Sequence, residues 1–224
     1  MSPTDFTERV VRVFQEHADS ERASEMAQYM KNQFPFYGIQ KPLRTQLTKP
    51  FLTEARQGTW AEQQEVVRWL WQLPERENAY LALDLLYAIR SSWGEEVIDL
   101  LEELIVTRSW WDTVDLLAAK LTGAYFLQYP IARGERTAAW IGADNFWLQR
   151  SALLFQLSYK GQTDAELLFK YIRRVAHSRE FFIQKAIGWA LRQYSYTNPA
   201  GVRQFVESTA LAPLSRREAL KRIQ

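Results

Sequence analysis

Apolar residues recur along this chain at every third or fourth position, and nowhere do they alternate with polar residues over the length of a strand. The pattern predicts helices over 3–18, 20–33, 40–57, 59–72, 75–90, 93–107, 109–121, 123–128, 130–140, 144–159, 163–175, 179–195, 198–207 and 214–222. The breaks between them, among them "FPFYGIQKP", "QGTW", "LTG", "IGADN", "YKGQTD" and "TNP", supply Gly, Pro, Asn and Asp, which terminate and cap helices. Asp144 before "NFWL" and Ser178 before "REFF" stand where N-caps belong.

Three of these segments resemble one another. "WWDTVDLL" from Trp110, "FWLQRSAL" from Phe146 and "FFIQKAIG" from Phe181 are offset by 36 and 35 residues, and each opens on an aromatic pair. A period near 35 with helix–turn–helix content is the signature of stacked helical repeats, which bury a continuous core and leave one concave face for binding.

Helical spacing sorts the side chains of these segments. Over 109–121, Trp110, Val114, Leu117 and Leu121 form a core stripe, while Trp111 and Asp115 lie one turn apart on another face with small residues, Ala118 and Thr122, beyond them. Over 179–195, Ile183, Ile187, Ala190 and Tyr194 make the apolar stripe. Lys185, Trp189 and Arg192 share a different face, and cations bracketing a tryptophan suit either a sugar–phosphate backbone or a half-buried ring covered by two long stems. Over 144–159, Leu148, Ala152 and Phe155 point inward and Arg150 is expected to project outward. Tyr29, in "AQYMKNQFPFYGI", fits a core or a surface position equally by periodicity.

Composition narrows the chemistry. A chain of 224 residues makes one large domain or two small ones. It has no cysteine and only His17 and His177, so neither a disulfide framework nor a thiolate or His-based metal centre is expected. The amphipathic N-terminus is unlike a signal peptide and no apolar run suits a membrane helix, which points to a cytoplasmic protein. There is no P-loop, dinucleotide-binding glycine set, zinc signature or nucleophile elbow. The net charge of +2 hides an asymmetry. Residues 1–130 carry thirteen Lys and Arg against nineteen Asp and Glu, whereas 131–224 carry fifteen against seven. A basic half is the footprint of a polyanion partner, or ordinary scatter over solvated helices.

Four blocks, "MAQYMKNQFPFYGIQKP", "LEELIVTRSWWDTVD", "DNFWLQRSALLFQLSYK" and "EFFIQKAIGWALRQYSYTNP", resemble in order and spacing the signature blocks of AlkD-type alkylpurine DNA glycosylases. The resemblance runs from about residue 20 to about 220. It implies an all-α fold, an α-solenoid of HEAT-like repeats with a concave DNA-binding face, in a single domain over 1–224. It implies double-stranded DNA as the partner; a monomer is the default expectation, and no cofactor or metal is expected. The activity implied is release of cationic alkylated purines, 3-methyladenine and 7-methylguanine among them, to leave an abasic site without the base being flipped into a pocket. On the matching positions, the family's catalytic aspartate falls on Asp115 and its active-site tryptophans on Trp111 and Trp189. The active-site arginine falls on Arg150 and DNA contacts fall on Tyr29 and Arg192, and Arg150, Lys185 and Arg192 are expected to hold phosphates and set register. The chain ends in "REALKRIQ", short of where some members continue, and a missing tail is expected to change DNA affinity but not the site.

The chemistry fits these residue types. An N3- or N7-alkylated purine is already cationic, so it departs neutral and needs no general acid. Positive charge develops on the deoxyribose, where a carboxylate and aromatic faces stabilise it. An activated lysine for lyase chemistry is not evident, so a monofunctional glycosylase is expected. A catalytically silent DNA-binding solenoid and a helical scaffold for a protein partner remain as alternatives.

Overall fold

The computed structural model describes residues 2–223. Met1 and Gln224, the ends of the expected 1–224 domain, lie outside the described residues. All fourteen expected helices form, and no strand occurs among the described residues. They fall into two compact units, 1–94 and 95–224.

The first unit holds α1 (Pro3–Glu16), α2 (Ser20–Tyr29), α3 (Lys41–Ala55), α4 (Trp60–Gln72) and α5 (Arg76–Ala88). Phe6, Val10 and Phe14 of α1, at helical spacing, are fully buried. A forked pair from Arg9 to Glu54 ties α1 to α3, with nitrogen–oxygen distances of 3.0 and 2.6 Å. The connection after α2 is held by a buried carboxylate. Glu77 accepts the backbone N–H groups of Tyr37, Gly38 and Ile39 at 2.9–3.1 Å. Burial pushes this carboxyl above the usual range, against the pull of those bonds. Gly38 turns there at φ +88, where a Cβ would lie 2.1 Å from the Asp19 carbonyl oxygen, so only glycine fits.

The second unit holds α6 (Val97–Val106), α7 (Trp111–Leu116), α8 (Gly123–Gln128), α9 (Pro130–Gly142), α10 (Phe146–Leu154), α11 (Ala165–Val175), α12 (Phe181–Tyr194), α13 (Pro199–Ser208) and α14 (Pro213–Leu220). Its tertiary hydrogen bonds repeat the spacing seen in the sequence. Arg136 reaches Glu102, Thr137 pairs with Tyr171, and the Tyr159 hydroxyl donates to the Gly123 carbonyl, each about one repeat away. The segment expected as one helix over 109–121 runs on through six residues of π-helix, Leu117–Thr122, into α8. Ala118 and Thr122 are buried there, so they continue the core rather than the face of Trp111 and Asp115.

Two N-caps differ from expectation. Asn145, not Asp144, caps α10 by accepting from the Trp147 N–H at 2.8 Å. Glu180, not Ser178, caps α12 through the Phe182 N–H at 3.2 Å. Each helix begins one or two residues later than the capping signal suggests, because a second capping residue lies nearer the aromatic pair.

A candidate nucleic-acid site on α7, α10, α12 and α14

The aromatic pairs that open the three repeats meet. The Trp110 ring lies 5.3 Å from Phe182 and 6.1 Å from Trp147, and Trp147 lies 4.8 Å from Phe182. Phe146 stacks parallel to Phe182 at 6.2 Å. Trp110, read as a core residue, is half-buried at the edge of this cluster, and its indole N–H has no hydrogen-bond partner. Tyr194, placed in the apolar stripe of α12, is also only half-buried.

The guanidinium of Arg150 links this cluster to the acid of the repeat helix. Asp115 is half-buried, and both its carboxylate oxygens are taken by one guanidinium. Arg150 Nε donates to Oδ1 at 2.7 Å and Nη2 to Oδ2 at 2.9 Å. The remaining Nη1 donates to the Phe182 carbonyl, and the guanidinium carbon lies 5.9 Å from the Phe182 ring centre. The expectation that Arg150 projects outward to hold a phosphate is therefore corrected. Its side chain is 5% exposed, against 18% for Asp115. The reason is the position of α10, which packs against α6, α7, α9, α11 and α12 and has no solvated side over residues 150–155. An amphipathic reading fails on a helix surrounded by others.

This pairing sets the electrostatics. Burial pushes the Asp115 carboxyl above its ordinary value, the hydrogen bond and charge of Arg150 pull it back, and Asp112 adds to the rise. Each carboxylate oxygen keeps a lone pair beyond the one Arg150 occupies. The result is a fixed, partly accessible carboxylate that cannot swing away.

Trp111, at the first position of α7, and Trp189, in the middle of α12, are both half-buried. Lys185 and Arg192 flank Trp189 on α12 as the spacing predicts, but both are engaged. Lys185 meets Glu218 Oε1 at 3.2 Å and Arg192 meets Oε2 at 2.9 Å. Lys221 reaches the same Oε1 at 2.8 Å. Glu218 itself is buried on α14. The Lys221 bond holds its carboxyl below the usual range, with Lys185 assisting and burial opposing. Tyr29 belongs to the first unit, where it ends α2 and is 69% exposed. Glu218, Lys221 and the Phe182 carbonyl are partners that helical spacing does not reveal. The one available signal was a lone acid among four cations in "SRREALKR".

No group of three or more His, Cys, Asp and Glu side chains able to hold a metal occurs among the described residues. None of the described helices is long and apolar enough to cross a membrane.

All described elements are helices, and the tertiary bonds about 35 residues apart mark the class as an all-α repeat fold of the solenoid type. Comparison with known proteins places it further. The family described as DNA alkylation repair enzyme matches residues 10–223, and the chain belongs to that family. A solved structure described as a predicted DNA alkylation repair enzyme from Enterococcus faecalis is 36% identical, with a TM-score of 0.88 over 92% of this chain and 96% of that one. Comparison with curated proteins found no match.

Proposed function

We propose that this protein is a monofunctional DNA glycosylase that hydrolyses the N-glycosidic bond of cationic alkylated purines, 3-methyladenine and 7-methylguanine, in double-stranded DNA. The observation that carries the reading is the Asp115 carboxylate, locked by Arg150 and still partly open, with the same guanidinium joined to Phe182 of the aromatic cluster. The C1′–N bond breaks with its electron pair going to the base, which leaves neutral. The sugar becomes an oxocarbenium ion, and the negative charge of Asp115 lowers the energy of that cation. Trp111 and Trp189 add cation–π attraction of about 0.5–2 kcal/mol each. Water then bonds to C1′, and its proton passes to Asp115, whose raised pKa suits a base.

Arg150 acts through Asp115 in this scheme. Its guanidinium fixes the carboxylate and favours the ionised form against the effect of burial, and its buried side chain leaves no face open to a phosphate. Lys185 and Arg192 hold the backbone around the lesion, and the exposed Tyr29 is a DNA contact of its own unit. Recognition through sugar and phosphate makes the lability of the bond, more than the shape of the base, select the substrate.

A duplex carrying a single 7-methylguanine, incubated with the protein and then heated, tests the assignment. The expected outcome is strand cleavage at the lesion, reporting an abasic site. Salt-dependent binding without base release would instead identify a silent DNA-binding protein. No affinity even at low salt would identify a scaffold for protein partners.

A further inference from the structure

We infer that Glu218 is a positioning residue for a three-cation phosphate clamp beside Trp189, and that Lys221 is its third phosphate contact. The inference rests on the proposed reading of this surface as a DNA site. Lys185 and Arg192 come from α12 and Lys221 from α14, and all three converge on the two oxygens of one carboxylate. Glu218 is 7% exposed, whereas 41% of Lys185, 33% of Arg192 and 49% of Lys221 remain open to solvent. Three positive charges face one negative charge, and no second carboxylate among the described residues bonds them. The cluster therefore keeps an excess of positive charge that is oriented rather than mobile, with Trp189 between two of its members on the same face of α12.

The approach of the two helices is built for this contact. A Cβ on Gly188 would lie 2.4 Å from the Glu218 Cβ and 3.0 Å from the Ser215 carbonyl oxygen. The Ser215 hydroxyl donates to the Gln184 carbonyl at 2.9 Å, fixing the register one turn before Glu218. Gly188 thus lets α14 sit close enough for one short acid to reach cations seven residues apart on α12. Ordering long side chains in advance removes entropy that DNA binding would otherwise have to supply. The carboxylate's negative charge weakens attraction for phosphate, so the arrangement trades raw affinity for geometry.

A simple helix–helix staple and a clamp predict different results. Glu218→Gln keeps the shape and removes the charge, and Glu218→Asp keeps the charge but shortens the reach. Salt-dependent binding to undamaged duplex and single-turnover release of 7-methylguanine at saturating enzyme are measured for both, with thermal unfolding as the check on folding. A clamp predicts that Glu218→Gln binds undamaged DNA at least as tightly as the parent while releasing base about tenfold more slowly, since small misplacements are costly in rate. Glu218→Asp also loses rate, without the gain in binding. Lys221→Gln, at an exposed position, lowers the salt slope by about one unit. An unchanged release rate in both Glu218 variants, or an unchanged slope in Lys221→Gln, overturns the inference and leaves the proposed function standing if the parent still releases base. A parent protein that neither binds DNA nor releases base removes both.

Discussion

At the scale of single residues, the pairing of Asp115 with Arg150 decides what each can do. Arg150→Ala leaves a mostly buried carboxylate unpaired. That costs roughly 3 kcal/mol of stability, the lower end of the range for breaking a buried pair, because Asp115 retains some solvent and can take up a proton. Because the guanidinium is buried, the salt slope of DNA binding in this variant stays at the parent value. A slope shallower by one unit would mean that Arg150 reaches a phosphate after all. The pH dependence follows from the same contact. Burial raises the Asp115 pKa, so as pH falls the ionised form is lost at a pH above the ordinary 3.8, and the acid limb of base release lies above that value. In that window the native state binds more protons than the unfolded one, so this group makes the fold more stable as pH falls. Removing Arg150 deletes the effects that pull the pKa down, and the acid limb moves to higher pH. A pH profile of single-turnover rates checks both statements. The identity of Asp115 as a site candidate was legible in "SWWDTVD" together with the family resemblance. Its partner's orientation was not, because the spacing of apolar residues reports a helix's own faces and not how many neighbours surround it.

At the scale of elements, the helices themselves were legible throughout. Their apolar residues recur at helical spacing, and Gly, Pro and Asn mark their ends. The repeat alignment was legible too, since the three aromatic pairs that it superposes pack against one another. The π-helical segment Leu117–Thr122 was not. Its i+5 bonding, seen in the Gly123 N–H donating to the Ala118 carbonyl, needs no special residue and leaves the apolar pattern almost unchanged. The residue that accommodates it is Gly123, where a Cβ would stand 2.6 Å from the Phe155 carbonyl oxygen. An exposed helical Gly→Ala change gains about 1 kcal/mol. Here backbone blocks the methyl group, so Gly123→Ala is expected to destabilise by about 1–3 kcal/mol. Denaturant unfolding measures the sign, and a stabilised variant would show that α8 and α10 part without cost. Glu218 was hidden for a different reason. In "SRREALKR" it looks like one solvated charge among others, and only the close approach of α14 to α12 at Gly188 buries it.

At the scale of the whole molecule, the charge asymmetry does not follow the division into units. The acidic run Glu95, Glu96, Asp99, Glu102 and Glu103 belongs to the second unit, and two of its members are paired with Arg136. The basic excess accumulates later, from α9 to the end of α14. This is why a division at residue 130 revealed it while the fold divides at 94. If Lys185, Arg192 and Lys221 are three phosphate contacts, counterion release makes binding to duplex DNA fall by about 40-fold between 50 and 200 mM salt. A titration across that range checks it, and a flat response would exclude a backbone-directed surface.

In the proposed reaction the Asp115 carboxylate stabilises a sugar turning cationic. Single-turnover release of 7-methylguanine from a duplex, by the parent and by Asp115→Asn at saturating enzyme, tests it most directly. Asp115→Asn is expected to release base more slowly by on the order of 10²–10³, with the protein still folded and still bound to DNA. Release at the parent rate would contradict it.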